Sequence, residues 1–362
     1  MRERIKVCPT EWLSRGDAVA YRENDGKPLV IWGGIPGEDS VVEVEHVGQN
    51  RVFGTWVGSK RPDPNRVEPP CERYNGCGGC SLMHLNEKGQ ADAHYDIVRL
   101  ALDSEQLQDV NISKHYPSPD GLSDFRFVVK LGVGLSDHGH LRVGAWGRGS
   151  RNIIPIPKCQ VAAPILRRTM NSVAHFVIEH NLQPYTAHNE RGILRSVVLR
   201  ASRTTGEVMV TLIAGKRDKG LLDFAEDLAQ SATEIAGVWL HVNPAEGNAI
   251  FTRSPTGDIV IRRLVGSPTI KEKIGDVVYE IGPGDFFQTN PSTAKILYDR
   301  TLERLSLDED SAFLDLYCGV GGLALQAAKT AGWVLGVEEA DGAVQRARDA
   351  ARKNNLSIDF IS

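Results

Sequence analysis

Residues 314–325 read LDLYCGVGGLAL. An apolar run meets a turn carrying Gly319, Gly321 and Gly322, then passes into an alanine- and leucine-rich segment, a strand, tight turn and helix in sequence. That order marks a ligand-binding corner of a parallel α/β sheet. Glycines let a ligand approach the backbone, and the helix N-terminus faces the crevice at the carboxyl end of the strand. Glu338 ends the next strand-like run, WVLGVEEA, 19 residues after Gly319, a position from which a carboxylate accepts hydrogen bonds from ribose hydroxyls. Read strictly, Gly319-x-Gly321-x-x-Ala324 also satisfies the dinucleotide fingerprint, so an NAD enzyme is an alternative. Asp315 and Tyr317, just before the glycines, favour a different ligand: a carboxylate repels a pyrophosphate but pairs with a cation. S-adenosylmethionine carries a sulfonium and an ammonium and has no pyrophosphate.

Upstream, GPGDFFQTNPSTA (282–294) places two phenylalanines and an amide before a helix that Asn290 caps, with Pro291 at its first position. Alone this is an ordinary core edge. In an enzyme that handles nucleosides, Phe286 can stack on a base, worth about 1–3 kcal/mol, and Gln288 can bond a cofactor or a base edge. From about residue 270 onward, strands and helices alternate (SAFLDLYCG, GLALQAAKTAG, WVLGVEEA, DGAVQRARDAARKNNL, SIDFIS). Two βα units and the start of a third strand fall short of the roughly 100–150 residues of a doubly wound domain. Residues 271–362 are therefore expected to be a partial Rossmann-like domain.

Residues 1–60 show short strands broken by turn residues, the rhythm of an OB-like β-barrel. Val42, Val44 and His46 alternate with Glu43, Glu45 and Val47, as in a half-buried strand. Pro62, Pro64, Pro69 and Pro70 then suggest a semi-rigid linker. Residues 61–270 read as an α+β middle domain, with runs such as LRSVVLRAS, EVMVTLIAG and GVWLHVN beside the helical APILRRTMNSVAHFVIEHN and LLDFAEDLAQSA. Its helical segment 86–115 is expected to pack on the C-terminal domain.

Cys71, Cys77 and Cys80 form a C-x5-C-x2-C cluster on a Gly-rich loop, with Cys159 as a distant fourth donor. Such thiolates suit a tetrahedral zinc site or a [4Fe-4S] cluster equally well. Cys8 and Cys318 have no partners at ligand spacing and read as packed small hydrophobes. Basic residues with aromatic neighbours recur in the middle domain: Arg126 and Lys130 near Phe125 and Phe127, then Arg142, Arg148 and Arg151 around Trp146, and Arg191, Arg195 and Arg200. They are a candidate phosphate-binding surface.

Composition narrows the rest. The chain of 362 residues has 42 Lys+Arg against 46 Asp+Glu, a net charge of −4, which argues against tail-driven nucleic-acid binding but not against a local basic patch. No apolar run approaches the roughly 18–20 residues of a membrane span, and the N-terminus lacks a secretory apolar core. Six cysteines are too few for a disulfide scaffold in so long a chain. A cytoplasmic monomer is expected. There is no HExxH pair or G-x-S-x-G elbow to support a hydrolase.

Together the motifs resemble the RNA uridine C5-methyltransferase family, particularly the 23S ribosomal RNA members with an N-terminal TRAM barrel and an iron–sulfur cluster. The resemblance runs along essentially the whole chain: barrel, cysteine cluster, central domain, FFQTNP, then DLYCGVGG. It implies that Cys71, Cys77, Cys80 and Cys159 hold a [4Fe-4S] cluster, and that Gln288, Tyr317, the Gly319–Gly322 loop and Glu338 contact S-adenosylmethionine. Phe286 matches the aromatic beside the flipped-out base. It also implies an RNA substrate, ribosomal rather than transfer RNA, methylated through addition of a cysteine thiolate to C6 of uracil. The family's D-P-P-R segment, its nucleophilic cysteine and its general base belong after the third strand, beyond Ser362. No catalytic residue is assigned in this chain, which is expected to be an incomplete form. The alternatives are a non-catalytic, cluster-carrying RNA-binding module and methylation of transfer rather than ribosomal RNA, since the GVGG loop resembles a related branch of the family that lacks the barrel.

Overall fold

A computed structural model of the chain describes residues 2–253 and 259–362. The chain divides into two compact units, Met1–Pro117 and Ser118–Ser362.

In the first unit, β1 (Arg4–Val7), β2 (Glu11–Trp12), β3 (Ala18–Tyr21), β4 (Pro28–Trp32), β5 (Ser40–Val47) and β6 (Val52–Ser59) form one sheet in the order β1-β5-β6-β4-β3-β2. Neighbours are antiparallel except β4 and β6, which run parallel. The parallel pair arises because β5 intervenes in the chain and lies on the far side of β6. β1 and β2 are the two edges of the sheet, so its hydrogen-bonded order does not close into the expected barrel. Along β5, Val42 and Val44 turn inward onto Leu29, Ile31 and Val52, as their alternation predicts, but a register shift between Val44 and His46 leaves His46 exposed.

The proline-rich stretch is not a linker. Glu38 is buried, and a buried carboxylate needs a partner. Arg66 supplies it with an ion pair of 2.5 Å, donates to the Gly33 carbonyl at 2.9 Å, and lies 3.9 Å over the Trp56 ring. Buried His84 ties the segment down again: its Nδ1 is 2.7 Å from the Tyr74 hydroxyl and its Nε2 3.1 Å from the Gly34 carbonyl. The boundary between units therefore falls after Pro117. α1 (Glu87–Ser104) starts where the Asn86 side chain accepts the Gly89 N–H at 2.8 Å. Ala93 on this helix packs with Leu82, Leu85, Trp12 and Ala18, so α1 belongs to the core of this first unit.

The second unit begins with a seven-stranded sheet built from β7 (Val128–Leu135), β8 (Leu141–Trp146), β9 (Ile153–Ile154), β10 (Leu194–Ala201), β11 (Val208–Ala214), β12 (Ile235–Val242) and β13 (Ile261–Gly266). The order is β13-β12-β11-β10-β7-β8-β9, and only β11 and β12 among these pairs are parallel. α2 (Pro164–Glu179) and α3 (Gly220–Ser231) pack on it. Every residue of β11 is buried, as expected of a strand covered on both faces. A hairpin of β14 (Ile270–Ile274) and β15 (Val277–Ile281) follows, then α4 (Pro291–Leu305), β16 (Ala312–Leu316), α5 (Ala324–Ala327), β17 (Trp333–Val337), α6 (Asp341–Lys353) and β18 (Asp359–Ile361).

β16, β17 and β18 form a parallel three-stranded sheet in that order, the α/β start that the glycine motif predicts. The Asn290 side chain caps α4 by accepting the Thr293 N–H at 3.1 Å. Two details differ from expectation. The apolar run SAFLDLYCG reads as a buried strand, yet Leu314 and Leu316, which share one face of β16, are exposed. The segment after the glycines makes only four residues of α-helix, because Lys329 and Thr330 bond three residues back, to Gln326 and Ala327, and tighten the last turn.

Candidate cofactor site

The Cys318 N–H donates to the Val337 carbonyl at 3.0 Å, extending the β16–β17 pairing one step beyond the strand before the chain turns. Tyr317 has a φ of +60°, as does Gly319 within a degree at +59°. For tyrosine this conformation costs on the order of 1 kcal/mol, and it leaves the ring 89% exposed at the mouth of the site. Gly322 is required by contact: a Cβ there would lie 2.6 Å from the Tyr298 hydroxyl. Glu338 bridges two loops, since its Oε2 accepts the Gly319 N–H and its Oε1 the Ala340 N–H, each at 3.0 Å.

Asp315 accepts the Ala324 N–H at 3.0 Å, and burial pushes its carboxyl above the usual range. Burial, with Asp315 nearby, raises the Tyr298 hydroxyl to about 12. The Cys318 thiol is also pushed up to about 12, by burial first and then by Asp315 and Glu338.

The 282–288 loop leaves β15 and is held from two sides. The buried Asp285 carboxylate accepts the Gly282 N–H at 2.6 Å and pairs with Arg346 of α6. From β10, the Arg200 guanidinium donates to the Asp285 carbonyl at 2.9 Å and the Phe287 carbonyl at 3.5 Å. Burial lowers Arg200 to about 10, with Asp285 opposing the shift. The clamp separates adjacent aromatics. Phe287 turns in against Tyr279, with ring centroids 5.3 Å apart, while Phe286 stands 77% exposed.

These two loops enclose a cavity of about 410 Å³. Phe286, Gln288, Tyr317, Gly319, Gly322 and Glu338, all singled out from sequence, line it together with Asp315, Cys318, Phe287 and Tyr298. Two carboxylates face this space, and no Lys, Arg or His is among its described lining residues. Sequence reasoning missed the Arg200–Asp285–Arg346 clamp and Tyr298, because their partners lie far apart in the chain and no local motif signals them.

The cysteines are placed differently. Cys71, Cys77 and Cys80 lie half-buried in the first unit and Cys159 half-buried in the second. The Gly79 N–H lies 3.4 Å from the Cys77 sulfur. Among the described residues, no group of three or more Cys, His, Asp or Glu side chains is gathered to hold a metal ion. The basic surface is also redistributed. Arg195 donates to the carbonyls of Asn243, Ala245 and Gly247 at 2.5–2.9 Å, and Arg200 is committed to the clamp. Lys130, Arg142, Arg151 and Arg191 remain exposed. Among the described residues, no helix is long and apolar enough to cross a membrane.

No protein-family profile matches the chain. The fold is shared with a solved Pyrococcus abyssi tRNA (uracil-54, C5)-methyltransferase in complex with S-adenosyl-L-homocysteine, at a TM-score of 0.71 and 24% identity over 99% of this chain and 79% of that one. An uncharacterised RNA methyltransferase of Bacillus cereus is 30% identical over 94% of this chain and 73% of its own length. A second, from Caldanaerobacter subterraneus, is 30% identical over 99% of this chain and 78% of its own. On that likeness, the chain belongs to the same family as these bacterial RNA methyltransferases.

Proposed function

We propose that the 410 Å³ cavity binds S-adenosylmethionine and that the protein methylates uridine at C5 in RNA, ribosomal rather than transfer RNA. The observation that carries the donor is the cavity's charge: Asp315 and Glu338 line it without a described basic side chain, which suits a sulfonium and opposes a pyrophosphate. When bound, S-adenosylmethionine supplies an electrophilic methyl group. Glu338 keeps lone pairs free beyond its two backbone partners, enough to accept ribose hydroxyls. Gln288 offers an amide at the same wall. The exposed face of Phe286 is available for a base, and stacking there returns about 1–3 kcal/mol of the few kcal/mol that extrusion from a helix costs.

Uridine C5 and ribosomal RNA are supported by the order of motifs along the chain, from the six-stranded first unit through the cysteines to FFQTNP and DLYCGVGG. Cys318 is not poised as a nucleophile, because its thiol is held protonated. The second reading is a cluster-carrying RNA-binding module without catalysis, which the exposed Lys130, Arg142, Arg151 and Arg191 would serve. For Cys71, Cys77, Cys80 and Cys159 we propose a [4Fe-4S] cluster, supported by donor chemistry and spacing. Since no group of three or more metal-ligating side chains is gathered among the described residues, no step of the reaction is routed through a cluster. Iron and sulfide assay of anaerobically isolated protein, against Cys80→Ser, tests it.

Two measurements test the main reading. Calorimetry is expected to show S-adenosylhomocysteine binding and no NADH binding; the reverse overturns the donor. Deleting the gene is expected to remove a 5-methyluridine from ribosomal RNA by mass spectrometry. An unchanged nucleoside profile overturns the uridine assignment, and S-adenosylhomocysteine binding with no methyl transfer selects the second reading.

A further inference from the structure

A larger cleft of about 850 Å³ lies elsewhere in the second unit, between the edge strand β13, the turn at Thr252 and the loop before α3. Its charge is opposite to that of the cofactor cavity. Arg217, Lys219, Arg262 and Arg263 line it and are exposed, and none of them meets a carboxylate at ion-pair distance among the described residues. Two carboxylates, Asp218 and Asp223, also line it, and Asp218 is turned toward the Gly220 N–H at 2.9 Å. Adjacent residues on a regular strand face opposite ways. Here the β12–β13 register shifts next to Arg263, and both Arg262 and Arg263 reach the cleft.

The floor is a buried histidine. His241 is buried, its Nε2 accepts the Thr252 N–H at 3.0 Å, and its Nδ1 lies 2.9 Å from the Val260 carbonyl. The cleft's positive field comes from Arg217, Lys219, Arg262 and Arg263, with Arg253 on the same lining already paired to a carboxylate.

Two contacts join this cleft to the cofactor cavity. Arg253, on its lining, pairs with Glu339 at 3.2 Å, and Glu339 adjoins Glu338. Gly284, in the loop that presents Phe286, packs so closely on β13 that a Cβ there would lie 2.9 Å from the Ile261 side chain. A basic groove thus adjoins an acidic pocket flanked by an exposed aromatic. A polyanion carrying a base toward Phe286 is the ligand class this arrangement fits.

We propose that this cleft holds the phosphodiester backbone of single-stranded RNA beside the nucleotide offered to Phe286. The inference rests on the RNA methyltransferase reading and names its docking surface. The test is fluorescence anisotropy of a labelled oligouridine over a salt series, on the whole chain, with R262Q/R263Q and R217Q/K219Q. Each phosphate of a single strand that the protein no longer neutralises lowers the slope of log K against log salt by about 0.7, so each pair is expected to lower it by about 1.4. Calorimetric S-adenosylhomocysteine affinity is expected to be unchanged, which shows that the variants remain folded. R304Q, on α4 and outside the cleft, is expected to leave the slope alone.

Slopes equal to wild type in both pairs overturn the proposal. Displacement of the RNA by inorganic phosphate or uridine monophosphate at low millimolar concentration also overturns it, and makes the cleft a mononucleotide site. Because the readout is binding, a lowered slope in a protein that leaves ribosomal 5-methyluridine unchanged supports the cleft while rejecting the uridine assignment.

Discussion

Asp315 illustrates a residue under opposing demands. Burial raises its pKa above the ordinary 3.8, so its ionised form is disfavoured in the folded protein. It costs no stability below pH 3.8 and increasingly destabilises the fold as pH rises from there through the raised value. Asp315→Asn keeps an acceptor for the Ala324 N–H, so it is expected to be more stable than wild type at about pH 7 and equal to it near pH 3. The check is urea denaturation at both values, and S-adenosylhomocysteine binding should weaken as stability rises. A variant less stable at the higher pH would contradict this account of the carboxylate. Glu338 differs in that both its oxygens already hold backbone N–H groups. Glu338→Gln exchanges charge-assisted bonds for neutral ones and turns an amide NH2 toward an N–H donor. Calorimetry should find S-adenosylhomocysteine binding weaker by about 1.5–3 kcal/mol, roughly ten- to a hundredfold.

At the scale of elements, the 282–288 loop is defined by what lies on either side of it. Arg200 comes from the middle of the seven-stranded sheet and Arg346 from α6, so the loop joins two parts of the second unit. Arg346→Met leaves the Asp285 carboxylate, only 4% exposed, without its partner. The expected loss is about 3 kcal/mol, read from the denaturant midpoint, with Asp285→Asn costing less because the amide still bonds Arg346. An equal cost for the two would mean that the ion pair's charge is irrelevant to the loop. Elements with local signals were legible in advance. Asn290 and Pro291 fix the start of α4 within a single turn, and the β5 alternation assigns its inner face. The opposite fates of Phe286 and Phe287 were not legible, since neighbouring identical residues carry no information about which one the Arg200 clamp turns inward.

At the scale of the whole molecule, the division after Pro117 means that the two units carry their own cores. Glu38 and Arg66 are buried together in the first. Glu38→Ala strands the guanidinium at an expected cost of about 3 kcal/mol. Scanning calorimetry should show the transition of the first unit lowered by roughly 10 °C, while S-adenosylhomocysteine affinity in the second is unchanged. A parallel loss of that affinity would show that the units do not hold their structures separately.

The sequence by itself determined the parallel α/β corner at Gly319–Gly322, six of the residues that line the candidate cofactor cavity and the Asn290 cap of α4. Each of these follows from local rules: glycine where a side chain has no room, a cap within three residues, alternation along one strand. Only the tertiary structure decided that the proline-rich stretch is pinned rather than a linker, that Arg195 and Arg200 serve the backbone, and that the basic cleft lies on β13 beside the acidic cavity. Those outcomes depend on which distant groups meet when charges are buried, because a buried charge must find a partner wherever in the chain that partner lies.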